Sequence, residues 1–331
     1  LEKQRLRQWL IALNLVGLLL AGCGTSLPKH KPAFKLTTTP SLISATTLDH
    51  SAQKMDTTSL ALVHGTLIDG TGAEPVVEAV IVIRDGRISE VGTSGEVIVP
   101  PDAEVIDVHG RTILPGFIDA HVHLAFEAEN LIAWAQAGVT TVRDVGSATL
   151  STILWDEWAH ATHEGIEPPN LALFNDRDTK LNRLQYARIV AAGPILTVPR
   201  GYPITIHGKH LALSVTSPDD ARQKIHILLD AGADLIKIAI ESRWGLQQMR
   251  LSIEEVEVIV AVAHSRDTTV TAHVGLAQDL AIGVEAGIDD AAHMVSDRLP
   301  DELINQMIAK DIYIVPTLAV KGGLWVARCH C

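Results

Sequence analysis

From Gly116 onward the chain alternates short apolar runs with helical stretches, and this alternation narrows its possible folds more than any other feature. Phe117–His123, Val139–Val145, Ile189–Val198, Asp234–Ile240, Thr268–Val274, Asp289–Met294 and Ile312–Pro316 read as strands. Helical stretches lie between them, such as Asp219–Ala231, opened by Ser217-Pro218, and Ser252–Ser265. Parallel strands need a crossover, usually a helix, so a chain that interleaves the two builds a parallel sheet or a (β/α) barrel.

The preceding segment has a different texture. Leu60–Val63, Ala79–Ile83, Arg87–Ser89, Val105–Val108 and Thr112–Leu114 are short apolar runs with no helix between them. Asp85-Gly86 joins two of them, and that dipeptide between apolar runs predicts a tight hairpin. Residues 58–113 therefore read as a small all-β module. Residues 23–57 are rich in Thr, Ser, Pro and Lys without sustained apolar period, as expected of a flexible tether.

Residues 1–22 carry a targeting pattern. Lys3, Arg5 and Arg7 precede the apolar run Trp9–Leu20, which is short for a bilayer span and suits a signal peptide. It ends in Leu20-Ala21-Gly22-Cys23, which resembles a bacterial lipobox, with cleavage before Cys23 and lipidation of its thiol. The expectation is an exported lipoprotein tethered to a membrane through its lipid. A net charge of −12 argues against a nucleic-acid partner, which would require clustered Lys and Arg. Three cysteines, Cys23, Cys329 and Cys331, supply no disulfide framework.

Candidate chemistry sits at the strand ends. On a strand, residues i and i+2 share a face, so His121 and His123 point the same way and can grip one metal. In Asp234–Ile240 the isoleucines occupy one face, while Leu235, Lys237 and Ala239 occupy the other, which would line a barrel interior. Such a lysine can snorkel to a barrel end or pair with a carboxylate. Burial also lowers its pKa, and a neutral amine can take up carbon dioxide to give a carbamate. His273 and His293 each end a further strand. Any one of the 15 histidines is more often a packed or surface residue than a ligand; the joint placement on successive strands carries the signal.

Those residues lie within stretches that resemble the amidohydrolase superfamily, most closely its imidazolonepropionase-like and prolidase-like branch. The stretches are Leu114–His123, Gly138–Asp144 and Ala231–Lys237, and the likeness extends over about residues 58–320. The resemblance implies a TIM-type (β/α)8 metal-dependent hydrolase barrel over 114–320 and, over 58–113, part of a composite β-sandwich. It implies that His121 and His123 bind a first divalent metal and His273 and His293 a second, zinc being the expected ion. Lys237, carboxylated, would bridge the two. A hydroxide held between the metals would then attack an amide carbonyl of a small-molecule or dipeptide-like substrate. The lysine favours C–N hydrolysis over deamination, which in the same superfamily generally uses one metal without it.

One expected residue has no match. The family places an aspartate, which shuttles protons, at the end of strand eight. Only seven strand candidates occur before residues 321–331, an atypical tail ending Cys329-His330-Cys331. The barrel is therefore expected to be incomplete, strand eight missing, through a truncated gene or altered reading frame. The catalytic acid–base residue stays unassigned, with Asp289 or Asp290 as possible replacements. The alternative reading is a catalytically inactive lipoprotein that binds metal or ligand. Tyr202, His207, His210 and Arg243, which follow strands three and four, are the candidates for substrate contact.

Overall fold

The computed structural model describes residues 59–147, 171–207, 211–243 and 249–318. Cys23, His210, the targeting segment, the tether and the tail lie outside these residues. No helix among the described residues is long and apolar enough to cross a membrane.

The first sheet is the β module. It contains β1 (Leu60–Leu67), β2 (Val76–Arg84), β3 (Arg87–Thr93), β4 (Glu104–Asp107) and β5 (Thr112–Ile113). The order is β3-β2-β1-β4, with β5 also paired to β1. Asp85 and Gly86 both take positive φ, 51° and 70°, and Arg84 pairs with Arg87 across them. That is the backbone of a two-residue primed turn, whose twist matches the flanking strands. Ala61, Val63, Val80 and Val82 are buried in one cluster and Leu67, Ala79 and Ile81 in another, Leu67 lying beyond the two register shifts that interrupt the alternation of β1.

The remaining strands form two parallel sheets. One runs β6-β7-β8, from β6 (Phe117–Val122), β7 (Val139–Asp144) and β8 (Arg188–Ala191). The other runs β10-β9-β11-β12-β13-β14, from β9 (Ile195–Thr197), β10 (Ala212–Ser214), β11 (Leu235–Ile240), β12 (Thr269–Val274), β13 (Asp290–Ala292) and β14 (Tyr313–Val315). The backbone N–H of Asp234 donates to Ala191 O at 2.9 Å and links the start of β11 to the end of β8.

The sequence predicts a single strand over Ile189–Val198, and the structure divides it into β8 and β9. Gly193 has φ +74° and Pro194 has no N–H to donate, so the ladder breaks between them. The short strand β10 was not anticipated from the sequence. The predicted strand Asp289–Met294 contracts to β13 because His293 takes φ +75° and turns out of the extended conformation.

Helices pack against the strands of both parallel sheets. They are α1 (Ala128–Gln136), α2 (Leu171–Thr179), the single turn α3 (Ile204–His207), α4 (Pro218–Asp230), α5 (Ile253–His264), α6 (Ala277–Ala286) and α7 (Asp301–Ala309). Ser217 caps α4 by accepting from Asp220 N, with Pro218 in the first turn. Ser252 and Glu255 form a reciprocal capping box at α5, which satisfies two donors the helix itself cannot. The largest core cluster joins Ile236, Ile238 and Ile240 of β11 to Ile225 and Leu228 of α4 and Val256 and Ile259 of α5. As the sequence pattern implied, Leu235 and Ala239 pack away from that cluster, Leu235 with Val145 and Ala192, Ala239 with Ile195 and Ala212.

Among the described residues β6 and β14 each have a strand partner on one edge only. A cleft of about 370 Å³ lies between them, lined in part by Ile118, Arg143, Asp290 and Tyr313. Ile118 and Tyr313 are exposed there.

Candidate metal centre

Four strands deliver side chains to one place. His121 lies within β6 and His123 one residue past its end. The two rings stand edge to face at 5.3 Å between centroids. His293 follows β13, and its ring lies 4.5 Å from that of His121. His273 in β12 stands 4.8 Å from His293. Lys237 comes from the middle of β11, where the register pairs it with Thr271, two residues before His273.

The hydrogen bonds behind the rings come from backbone and neighbouring side chains. His123 Nδ1 is 2.7 Å from Gly146 O. Gly146 has φ +151°, and a Cβ there would fall 2.8 Å from Ile195, so only glycine brings the carbonyl this close. Asp144, fully buried at the end of β7, fixes the two loops that meet here. It accepts from Ala125 N at 2.9 Å, Gly146 N at 3.0 Å and the Ser147 hydroxyl. His293 Nδ1 lies 2.8 Å from Thr317 Oγ1. His273 Nε2 lies 3.0 Å from Glu241 Oε2.

Two buried polar atoms at this site, His121 Nδ1 and Lys237 Nζ, have no hydrogen-bond partner among the described residues. Leaving a buried polar group unsatisfied typically costs about 1–3 kcal/mol, so such atoms are retained for a reason. Electrostatics point the same way. Burial, reinforced by the Lys237 charge and the other rings, holds His121 far below the usual histidine range. Burial lowers the Lys237 ammonium to about 7. Burial lowers His273 to about 4, against the pull of its bond to Glu241. These are neutral imidazoles and an easily deprotonated amine, the forms that ligate divalent metals and form a carbamate. Among the described residues, no three His, Cys, Asp or Glu side chains could hold an ion as they stand. The rings are gathered but not closed around a point. Imidazole nitrogens and a lysine amine, two of them orphaned here, are nevertheless donors of the kinds that divalent ions take, and His121, His123, His273, His293 and Lys237 would be the residues to hold one.

The substrate candidates divide. Tyr202 stacks on His273 at 4.1 Å with 19° between planes, and burial raises its phenol above the ordinary value. His207 meets Tyr202 edge on at 5.9 Å and is exposed. Arg243 is already engaged: Nε and a terminal nitrogen donate to Glu241, and the other terminal nitrogen donates to Ser296 Oγ at 2.7 Å. Asp289 turns outward, 2.9 Å from His264 Nε2. Asp290 faces inward but accepts from both terminal nitrogens of Arg143 and from Thr271.

Sequence reasoning passed over Glu241, Asp144 and Thr197. Burial raises Glu241, but hydrogen bonds from His273 and Arg243 outweigh it and hold the carboxyl near 2. The hydroxyl of Thr197, beside Ala239 by register, is buried and has no hydrogen-bond partner among the described residues. A Glu directly after a lysine-bearing strand was the available signal for the first of these.

A model of the Amidohydrolase family matches residues 104–196. An N-substituted formamide deformylase of Arthrobacter pascens is 54% identical over 50 residues, 14% of this chain and 9% of the relative. An imidazolonepropionase of Symbiobacterium thermophilum is 38% identical over 78 residues, 21% of this chain and 18% of the relative. The solved structure of a putative prolidase from Bifidobacterium longum superposes with a TM-score of 0.54 at 27% identity, covering 76% of this chain and 57% of that one. The chain thus matches less than a fifth of either curated relative and somewhat over half of the prolidase. Over the matched stretches the chain is similar to members of the amidohydrolase superfamily.

Proposed function

We propose that the chain hydrolyses amide C–N bonds of small or dipeptide-like substrates at a divalent-metal centre, zinc being the ion its imidazoles suit. The observation that carries this reading is the gathering of four histidine rings beside a buried lysine whose Nζ has no hydrogen-bond partner among the described residues. A bound ion would polarise the substrate carbonyl and make water a nucleophile near neutral pH. The protein's own part is positioning. Gly146 O and Thr317 Oγ1 orient two of the rings, and burial keeps His121 and His273 neutral. Tyr202, stacked on His273, forms one wall against which a substrate would lie. Lys237, as the carbamate, would supply a carboxylate between the two ring pairs. The sheets β6–β8 and β9–β14 are read as strands of one (β/α) barrel, since the His121–His293 contact brings the ends of β6 and β13 together. The β1–β5 sheet is read as part of a β-sandwich.

A second reading has its own support. The buried carboxylates Asp144, Glu241 and Asp290 each already accept several hydrogen bonds, so none is positioned to shuttle a proton. A chain that binds metal without turnover would look the same. Elemental analysis of protein purified without chelator separates these ideas. His121→Ala with His123→Ala should reduce bound divalent metal by at least half. Metal content untouched by the double substitution would refute the centre. Metal bound without hydrolysis of any dipeptide or N-acyl substrate would favour the inactive form.

The lipid anchor at Cys23 is proposed from its motif. The protein expressed in a bacterium should fractionate with membranes, and Cys23→Ser should release it or leave it unlipidated. Recovery of the unaltered chain in the soluble fraction with residues 1–22 still attached would dispose of the anchor.

A further inference from the structure

Glu241 directly follows β11, and its side chain is 1% exposed. A carboxylate can only accept, so its 3.0 Å contact with His273 Nε2 requires the proton to be on that nitrogen. The carboxylate cannot swing away. Arg243 holds it through its backbone N–H at 2.7 Å, Nε at 3.0 Å and a terminal nitrogen at 2.7 Å. Arg243 is itself held by Ser296. Above the carboxylate lies Gly275, where a Cβ would fall 2.1 Å from Glu241 Oε1. The acceptor is thus clamped from one side and roofed from the other, with one oxygen aimed at the ring.

We infer that Glu241 is a positioning residue that fixes His273 as its Nε2–H tautomer and so turns the lone pair of Nδ1 toward the other rings. The use of that lone pair rests on the metal-centre reading, whereas the tautomer does not. Carboxylates behind metal-binding histidines set tautomer and ring orientation in general. The competing account is a plain Glu241–Arg243 ion pair that meets His273 by proximity. The two differ in what the tautomer does when the charge on Glu241 is removed at constant size.

In Glu241→Gln the amide oxygen should take the Arg243 backbone donor, leaving the NH2 to face His273 Nε2. Nε2 must then accept, and the ring proton moves to Nδ1. The experiment is a long-range proton–nitrogen correlation on the full chain with labelled histidine, at neutral pH in chelator, assigned by His273→Gln. The wild type should show the Nε2–H form and Glu241→Gln the Nδ1–H form. Arg243→Met, which leaves the carboxylate in place, should keep the wild-type tautomer. An identical His273 tautomer in wild type and Glu241→Gln overturns the inference, as does inversion by Arg243→Met. Glu241→Asp serves where the glutamine variant does not fold: its shorter reach should give a mixture of tautomers, and a pure Nε2–H form would count against the role. Zinc competition on the same samples reads the other half. Glu241→Gln should bind zinc roughly 10–100-fold more weakly. Unchanged affinity despite an inverted tautomer would sink the metal-centre reading and leave the role of Glu241 standing.

Discussion

Lys237→Met should make the metal-free protein more stable at pH 6 and, on the proposed function, eliminate hydrolysis at the same time. Burial lowers the folded-state pKa of Lys237 from 10.5 to about 7. Between those values the unfolded chain binds a proton that the folded chain does not, so stability rises with pH through that window. Below about pH 7 both states carry the proton, and the folded state bears the whole cost of the buried charge, on the order of 5 kcal/mol. Methionine has similar length and no charge. Its advantage over lysine should therefore be largest below pH 7 and shrink toward zero as pH approaches 10.5. Denaturant unfolding in chelator at pH 6 and pH 10 measures it, and an equal advantage at both would show that Lys237 is not titrating as described. The loss of function has a separate origin. A neutral amine adds carbon dioxide, releasing a proton, to form an N-carboxylate, which methionine cannot do. Metal content and hydrolysis should then fall together, and native mass spectrometry should lose a species heavier by one carbon dioxide.

That lysine was legible in the sequence because two periodicities coincide on it. The outward isoleucines of β11 gave the strand its faces, and an ionisable residue on the inward face stood out against them. His121 and His123 were legible for the same reason, as alternate residues of one strand. The irregular elements were not. The Gly193-Pro194 break, the short β10 and the turn at His293 depend on local backbone conformation, which apolar periodicity does not encode. Glu241 was missed because its meaning lies in contacts across the fold, with His273 on another strand and Gly275 beyond it. Arg243, read from its loop position as available to a substrate, proves to be committed to that same carboxylate. Spacing finds groups presented by one element, and a group defined by its partners becomes visible only once the elements are packed.

Arg143→Leu is the substitution expected to cost the most stability. Arg143 leaves β7 and meets Asp290 of β13 through two bonds of 2.8 and 2.9 Å, while its Nε donates to Ala120 O of β6 at 2.8 Å. One side chain thus joins the three-stranded sheet to the six-stranded one. The pair is mostly buried, with 19% and 9% of the two side chains exposed. Removing one partner of a buried pair leaves a charge without compensation and typically costs about 3–5 kcal/mol. Replacing both by apolar residues removes that charge, so Arg143→Leu with Asp290→Leu should recover most of the loss. The cleft between β6 and β14 offers a rival outcome, because both residues line it and water reaching them would screen the pair. A single-variant cost under about 1 kcal/mol would place the pair among surface ion pairs and give the cleft control of its energy. The titration of Lys237 supplies an independent reading. Asp290 raises its pKa and Arg143 lowers it, both secondary to burial. Arg143→Leu should therefore shift the pH window of the Lys237 effect upward, and an unshifted window would mean that the Arg143 charge does not act on Lys237.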